Sequence, residues 1–258
     1  KDTNALLTTD MLHDETDLPD GIEPGVVGWR AMAVSLSDIA AMGGAATAGV
    51  LAFGAPEFER EFIENVVGGA QEACESVGAR YVGGDMDRHD EMTLVSTVLG
   101  EAGEPVRRRG ANAGDKVCVT GELGRTAVAL RLFNEGEDER ANDLFTFSPR
   151  LPEGRKLAEH ATAMMDISDG LAVSLHQMYE AGDGVGFEIE SDKLPLVEGA
   201  NADDIFVGED YELVFTLPRG SVEKAREKVE FTVIGECVEE ESVRMDGEKL
   251  EKRGYEHA

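Results

Sequence analysis

Residues 28–43 read Gly-Trp-Arg-Ala-Met-Ala-Val-Ser-Leu-Ser-Asp-Ile-Ala-Ala-Met-Gly. Small and apolar residues recur there at helical spacing, which predicts a helix over 28–42 with a carboxylate, Asp38, near its end. Just upstream, Ala-Leu-Leu-Thr-Thr-Asp at 5–10 predicts a strand that ends in polar groups. Downstream, Phe58, Phe62, Val66, Ala70 and Cys74 mark an amphipathic helix over 57–77. A short strand at 80–83 then runs into Gly83-Gly84-Asp85, and the alternation at 92–99 predicts another strand.

The polar stretch that begins with Arg107-Arg108-Arg109-Gly110 is the candidate boundary, giving domains of 1–106 and 107–258. Beyond it the pattern predicts a strand at 116–120, a turn at Gly121–Gly124 and a helix at 125–134. The charged segment 135–143 is expected to be an exposed loop or helix end. Helices are expected near 153–162, 169–180 and 221–228, and strands at 163–167, 185–190, 211–217 and 231–235. Asp246-Gly247 marks a hairpin turn. Strands and helices mix in both halves, so the chain reads as two α/β or α+β domains.

A length of 258 residues suits one large domain or two ordinary ones. With 53 acidic and 24 basic residues the net charge is −29, which disfavours a nucleic-acid partner. It would also repel a phosphorylated substrate unless cations bridge the two. Arginine outnumbers lysine 16 to 8, and acid excess with scarce lysine points to a salt-adapted, cytoplasmic protein, the alternative being a merely acidic mesophile. Cys74, Cys118 and Cys237 are far apart, form no CxxC pair, and read as inert thiols in a reducing compartment. No apolar run is long enough for a membrane span.

Five places join an apolar strand to an acidic residue through glycine, serine or threonine. They are Thr8-Thr9-Asp10, Ser37-Asp38, Gly83-Gly84-Asp85, Asp166-Ile167-Ser168-Asp169-Gly170 and Gly208-Glu209-Asp210-Tyr211. Each alone could be a helix cap or a turn. Together they suggest a cleft in which magnesium neutralises carboxylates and phosphates, since magnesium takes a few carboxylates plus waters and phosphate oxygens. GxxxxGK[ST], GxGxxG and HExxH are all absent. Val119-Thr120-Gly121-Glu122-Leu123-Gly124 is either an ordinary tight turn or a phosphate cradle at a helix start.

These motifs carry a resemblance. Leu-Leu-Thr-Thr-Asp-Met at 6–11, the 28–43 block, Gly-Gly-Asp at 83–85, Arg-Arg-Gly-Ala at 108–111 and Val-Thr-Gly at 119–121 occur in family order. Ser-Pro-Arg at 148–150, Asp-Ile-Ser-Asp-Gly-Leu at 166–171 and Gly-Glu-Asp-Tyr-Glu-Leu at 208–213 follow. The chain thereby resembles the thiamine-monophosphate kinases, of the superfamily that includes aminoimidazole ribonucleotide synthetase and selenophosphate synthetase. The resemblance implies an α+β fold of two domains. The N-terminal α+β domain binds metal and ATP and forms a dimeric β-barrel in a homodimer, and the C-terminal domain is α/β. The implied reaction is direct in-line transfer of the γ-phosphoryl group of ATP to thiamine monophosphate.

Carried over by position, the resemblance implies that Thr8, Thr9, Asp10, Asp38, Asp85, Asp166 and Asp169 bind Mg2+. Asp10, Asp38, Asp85 and Asp169 are the expected catalytic set, and Gly84, Asp85, Arg108 and Ser168 the expected ATP contacts. Glu209 is an expected substrate contact, with Tyr255, in the terminal Gly-Tyr-Glu-His at 254–257, as a further candidate. Asp17 falls where many relatives have a substrate-contacting His, and His13 lies four residues earlier. Only seven residues precede Thr8, so the family's upstream Gly-Asp-Asp segment is expected to be missing. The alternatives are another ATP-dependent synthetase of the superfamily or an inactive cation-binding homologue.

Overall fold

A computed structural model describes residues 3–182 and 184–255. In chain order the first elements are β1 (Asn4–His13), α1 (Asp14–Asp17), α2 (Pro24–Ala41), β2 (Ala45–Ala55), α3 (Arg60–Ser76), β3 (Arg80–Arg88) and β4 (Thr93–Ala102). They are followed by β5 (Lys116–Val119), α4 (Arg125–Glu135), α5 (Asp138–Phe145), α6 (Leu151–Leu157), β6 (Ala163–Asp166) and α7 (Leu171–Ala181). The last are β7 (Gly186–Ile189), β8 (Leu213–Leu217), α8 (Val222–Arg226), β9 (Thr232–Val238), β10 (Val243–Met245) and β11 (Glu248–Lys249). The fold is mixed α/β and divides into two compact units. One holds residues 1–39, 44–104 and 128–151, and the other 40–43, 105–127 and 152–258.

The first unit is built on a four-stranded sheet of order β1-β4-β2-β3, antiparallel except for β2 with β3. Side chains alternate across it, as a pleated strand requires. Leu6 and Leu12 of β1, Leu94 and Val98 of β4, and Leu51 and Phe53 of β2 are buried on one face. On the other face Leu7 pairs in register with Leu99, and Leu7, Leu99, Met11 and Val50 all stay exposed, Leu7 at 74%. Helices α2 and α3 meet backbone to backbone. A Cβ on Gly28 would sit 1.7 Å from the Val66 carbonyl, and one on Gly69 would sit 1.9 Å from that of Gly25. Only glycine permits that approach. Arg30 of α2 is buried, stacks 3.6 Å from the Phe145 ring centroid and donates to the Phe145 carbonyl. The arginine thereby buries its charge against a π-face and a carbonyl dipole.

The second unit carries a seven-stranded sheet, β11-β10-β7-β9-β5-β8-β6, in which only β10 and β7 run parallel. Leu171, Ala172, Leu175 and Met178 of α7 share its core with Val117, Val119, Phe187, Ile189, Val214 and Ile234. The hairpin at Asp246-Gly247 is present, with φ of 53° and 79°, the double left-handed geometry of a type I′ turn.

Several elements depart from the sequence pattern: β1 and β3 run on past Asp10 and Asp85 to His13 and Arg88, and the helix expected near 153–162 is 151–157. The glycine- and alanine-rich segment 45–55 forms the central strand β2, α2 begins four residues earlier than expected, and 138–145 is a full helix. The three cysteines are buried free thiols, and burial raises Cys74 to about 11 and Cys237 to about 12. Burial pushes Cys118 up as well. No described helix is long and apolar enough to cross a membrane.

Candidate active site

In the first unit, the pleat turns Thr8 and Asp10 of β1 towards the same face as buried Leu6 and Leu12, whereas Thr9 points to the other face. Helix α2 supplies Ser35 and Asp38. The Thr8 hydroxyl donates to the Asp38 carboxylate. The Ser35 hydroxyl donates to Asp10 at 2.6 Å and also shares a hydrogen bond with Ser96 of β4. Thr9 donates to the Ser96 carbonyl at 2.8 Å and receives from Thr97. Burial holds the Asp10 carboxyl above its ordinary value, partly offset by the Ser35 hydrogen bond. A carboxylate so desolvated favours a cation beside it.

Gly84 and Asp85 lie on β3. A Cβ on Gly84 would fall 1.8 Å from the Leu51 carbonyl, so the parallel β2–β3 contact needs glycine there. Asp85 is exposed. It lines two cavities, one of about 440 Å3 among Leu51, Phe53, Ile63, Val67 and Tyr81, and one of about 250 Å3 among Ala52, Asp87, His89 and Thr93. Strands β1 and β3 are the two outer strands of this sheet. They are three interstrand steps apart, about 14 Å at ordinary strand spacing. Within one chain, Asp10 and Asp85 therefore cannot ligate one ion.

Among the described residues, no three His, Cys, Asp or Glu side chains gather closely enough to hold a metal by themselves. The donors that do gather are hydroxyls with one or two carboxylates. That set fits magnesium, which keeps waters and substrate oxygens in its shell, better than an all-protein cage. The Asp17 carboxylate turns back on its own segment, accepting from the His13 N–H at 2.6 Å and the Thr16 hydroxyl at 2.9 Å. His13 faces Thr93 and, at 3.8 Å, Glu91.

In the second unit, three segments converge on the loop after β6. Asp166 is buried at the strand end, and Ser168 and Asp169 lead through Gly170 (φ 99°) into α7. The Glu209 N–H donates to the Ser168 carbonyl at 2.6 Å, and the Tyr211 N–H to that of Ile167 at 3.0 Å. Gly208 packs so closely that a Cβ would sit 2.3 Å from the Ser168 carbonyl. The C-terminal segment arrives from another side, with the Tyr255 N–H donating to the Asp169 carbonyl at 3.2 Å. Glu256 and His257 of the terminal motif lie outside the described residues. Arg108 donates to Gln177 of α7 at 2.9 Å, and Gln177 in turn donates to the Asp169 carboxylate at 3.3 Å. Arg108, Ser168, Asp169, Glu209 and Tyr255 are thus linked through one loop. Gln177 was not singled out from the sequence, because a glutamine on an amphipathic helix carries no spacing signal.

Glu209 and Tyr211 have φ of 69° and 51°. Left-handed backbone at a residue with a side chain costs of order 1–3 kcal/mol, so such residues persist only where the surroundings hold them. Glu212 accepts from the Thr120 hydroxyl at 2.6 Å, and buried Asp210 accepts from the N–H groups of Gly124 at 2.8 Å and Thr126 at 3.3 Å. The Leu123 N–H donates to the Pro195 carbonyl. These bonds occupy N–H groups of the Val119–Gly124 turn, so the phosphate-cradle reading of that turn gives way to a structural one.

Comparison with known proteins finds the same family in both halves of the chain. Residues 1–102 match the family described as AIR synthase related protein, N-terminal domain, and residues 112–248 match its C-terminal domain. The thiamine-monophosphate kinase of Halobacterium salinarum is 47% identical over 98% of this chain and 91% of its own length. That of Methanospirillum hungatei is 44% identical over 98% and 88%. Among solved structures, AaThiL complexed with AMPPCP and TMP superposes with a TM-score of 0.91 at 32% identity, covering 99% of this chain and 88% of that one. In sequence, in the order of its acidic motifs and in fold, the chain belongs to the thiamine-monophosphate kinase family.

Proposed function

We propose that the protein transfers the γ-phosphoryl group of ATP to thiamine monophosphate, giving thiamine diphosphate by direct in-line attack of a substrate phosphate oxygen. The observation that carries this reading is the nearly full-length likeness to a kinase structure complexed with AMPPCP and TMP. The chemistry of the residues supports it. The candidate site is rich in hard oxygen donors, as suits phosphoryl transfer, which needs positioning and charge neutralisation.

Magnesium, when bound, supplies Lewis-acid neutralisation of the phosphate oxygens. Thr8, Thr9, Asp10, Asp38, Asp85, Asp166 and Asp169 are the proposed ligands of such ions, and Asp10 and Asp85 of one chain would hold different ions. Ser35 and Thr8 orient Asp10 and Asp38 by hydrogen bonds. Gly84, Asp85, Arg108 and Ser168 contact ATP in this reading, with Gln177 holding Arg108 and Asp169 in place. Glu209 contacts thiamine monophosphate, with Tyr255 and Asp17 as further substrate contacts. In this reading residues 1–106 carry metal and ATP binding and dimerisation and 107–258 make the second domain, apart from 128–151, which belongs to the first compact unit. The exposed apolar face of the four-stranded sheet supports a homodimer in which two sheets close into a barrel. The charge of −29 supports a cytoplasmic, salt-adapted setting.

The test is an ADP-release assay with ATP, magnesium and thiamine monophosphate, run beside aminoimidazole precursors and selenide, with thiamine diphosphate identified as product. ADP release with either alternative and none with thiamine monophosphate would overturn the proposal.

A further inference from the structure

We infer that Asp210 is a positioning residue that fixes where the Glu209 carboxylate meets the substrate. The inference rests on the proposed role of Glu209 as a contact for thiamine monophosphate, whose cationic ring suits a carboxylate. Asp210 is buried with 3% exposure, and its two carboxylate oxygens divide between the Gly124 and Thr126 N–H groups at the start of α4. The next link runs back to Glu209. The Thr126 hydroxyl donates to the Glu209 carbonyl at 2.8 Å, while the Glu209 N–H is held by Ser168.

Neighbouring side chains in such a turn diverge. With Asp210 pinned inward to α4 and both backbone groups of Glu209 tied, the half-buried Glu209 has one backbone setting, at a left-handed φ of 69°. That setting is strained for a glutamate, and Asp210 is the side chain that closes the ring of contacts holding it. Released from α4, the turn would relax towards ordinary φ and swing Glu209 away from Ser168 and Asp169. Of the proposed ATP contacts, Gly84, Asp85 and Arg108 lie outside this turn, whereas Ser168 meets it through its carbonyl.

Steady-state kinetics on Asp210→Asn, Glu209→Gln and the double variant test this. Asp210→Asn is expected to raise the KM for thiamine monophosphate about 10-fold while the KM for ATP changes less than about 2-fold. If Asp210 acts through Glu209, the double variant should be little worse than Glu209→Gln alone, because residues acting as a unit are non-additive. A KM for thiamine monophosphate unchanged in Asp210→Asn, or penalties that add fully, would overturn the inference. An unchanged KM in Glu209→Gln would instead overturn the substrate role of Glu209 itself. Should Asp210→Asn fail to fold, Thr126→Val removes only the hydroxyl bond to the Glu209 carbonyl. It is expected to raise the same KM about 3-fold, and no change there would likewise sink the idea.

Discussion

Asp38 stands on α2 beside the strand that carries Asp10, and its carboxylate takes the Thr8 hydroxyl. Replacing it with asparagine keeps the shape and removes the charge. Asp38→Asn is expected to lower turnover at limiting magnesium by about 100-fold, with circular dichroism and melting temperature close to the parent. Near-normal turnover would remove Asp38 from the metal set. Asp210 offers a second measurement, in stability. Burial pushes its carboxyl up to about 6 from an ordinary 3.8, against the opposing N–H groups of Gly124 and Thr126 and with added repulsion from Glu212. A raised value favours the protonated form in the fold. Its contribution is therefore full below about pH 4 and lost as pH rises through about 6, a swing of about 3 kcal/mol. Melting curves at pH 4 to 7 should show the parent losing stability relative to Asp210→Asn across that window, and parallel curves would contradict it. At this scale the candidate carboxylates stood out in the sequence as strand ends, but only Asp166 closes its strand. Asp10 and Asp85 lie inside β1 and β3, and Asp38 inside α2, because those elements run on past them. Ser35, Ser96 and Gln177 did not stand out. Their roles come from strands and helices distant in the chain, and a serine inside a helix looks like any small residue.

At the scale of elements, the helix pair α2 and α3 depends on where side chains are missing. Gly68 and Gly69 are adjacent in α3, yet a Cβ on Gly68 meets nothing within 4 Å whereas one on Gly69 would collide with the Gly25 carbonyl. Gly68→Ala is expected to stabilise the protein by about 1 kcal/mol through helix propensity. Gly69→Ala should destabilise it by about 1–3 kcal/mol by forcing the helices apart. Equal effects in denaturant titrations would refute the backbone-to-backbone contact. The amphipathic pattern around Phe58, Phe62 and Val66 made α3 readable. Strand β2 was unreadable for the opposite reason. Its Ala-Ala-Thr-Ala-Gly-Val-Leu-Ala-Phe-Gly-Ala carries few β-branched residues, because it lies between β4 and β3 with Gly84 and Gly100 pressed against it. Neighbouring strands, and not local propensity, make it a strand.

For the whole molecule, charge sets the conditions under which the fold is stable. A net charge of −29 on 258 residues should push the chain apart at low ionic strength. Screening shortens from about 10 Å at 0.1 M salt to about 3 Å at 1 M. The melting temperature is therefore expected to climb steeply between tens of millimolar and molar KCl. A flat response would remove the salt-adapted reading and leave the kinase reading intact. Light scattering at low micromolar protein in high salt should give about twice 27.7 kDa, and a mass near that of one chain would count against the closed barrel.

The wide separation of Asp10 and Asp85 bears on genetics. They sit on opposite rims of a sheet about 14 Å across. If two sheets close so that the first strand of each lies alongside the third of the other, the two carboxylates that neighbour one another come from different polypeptides. Two inactive alleles, Asp10→Asn and Asp85→Asn, would then complement. In a heterodimer, one site inherits both lesions and the other inherits neither, so equal co-expression should restore about a quarter of parental activity.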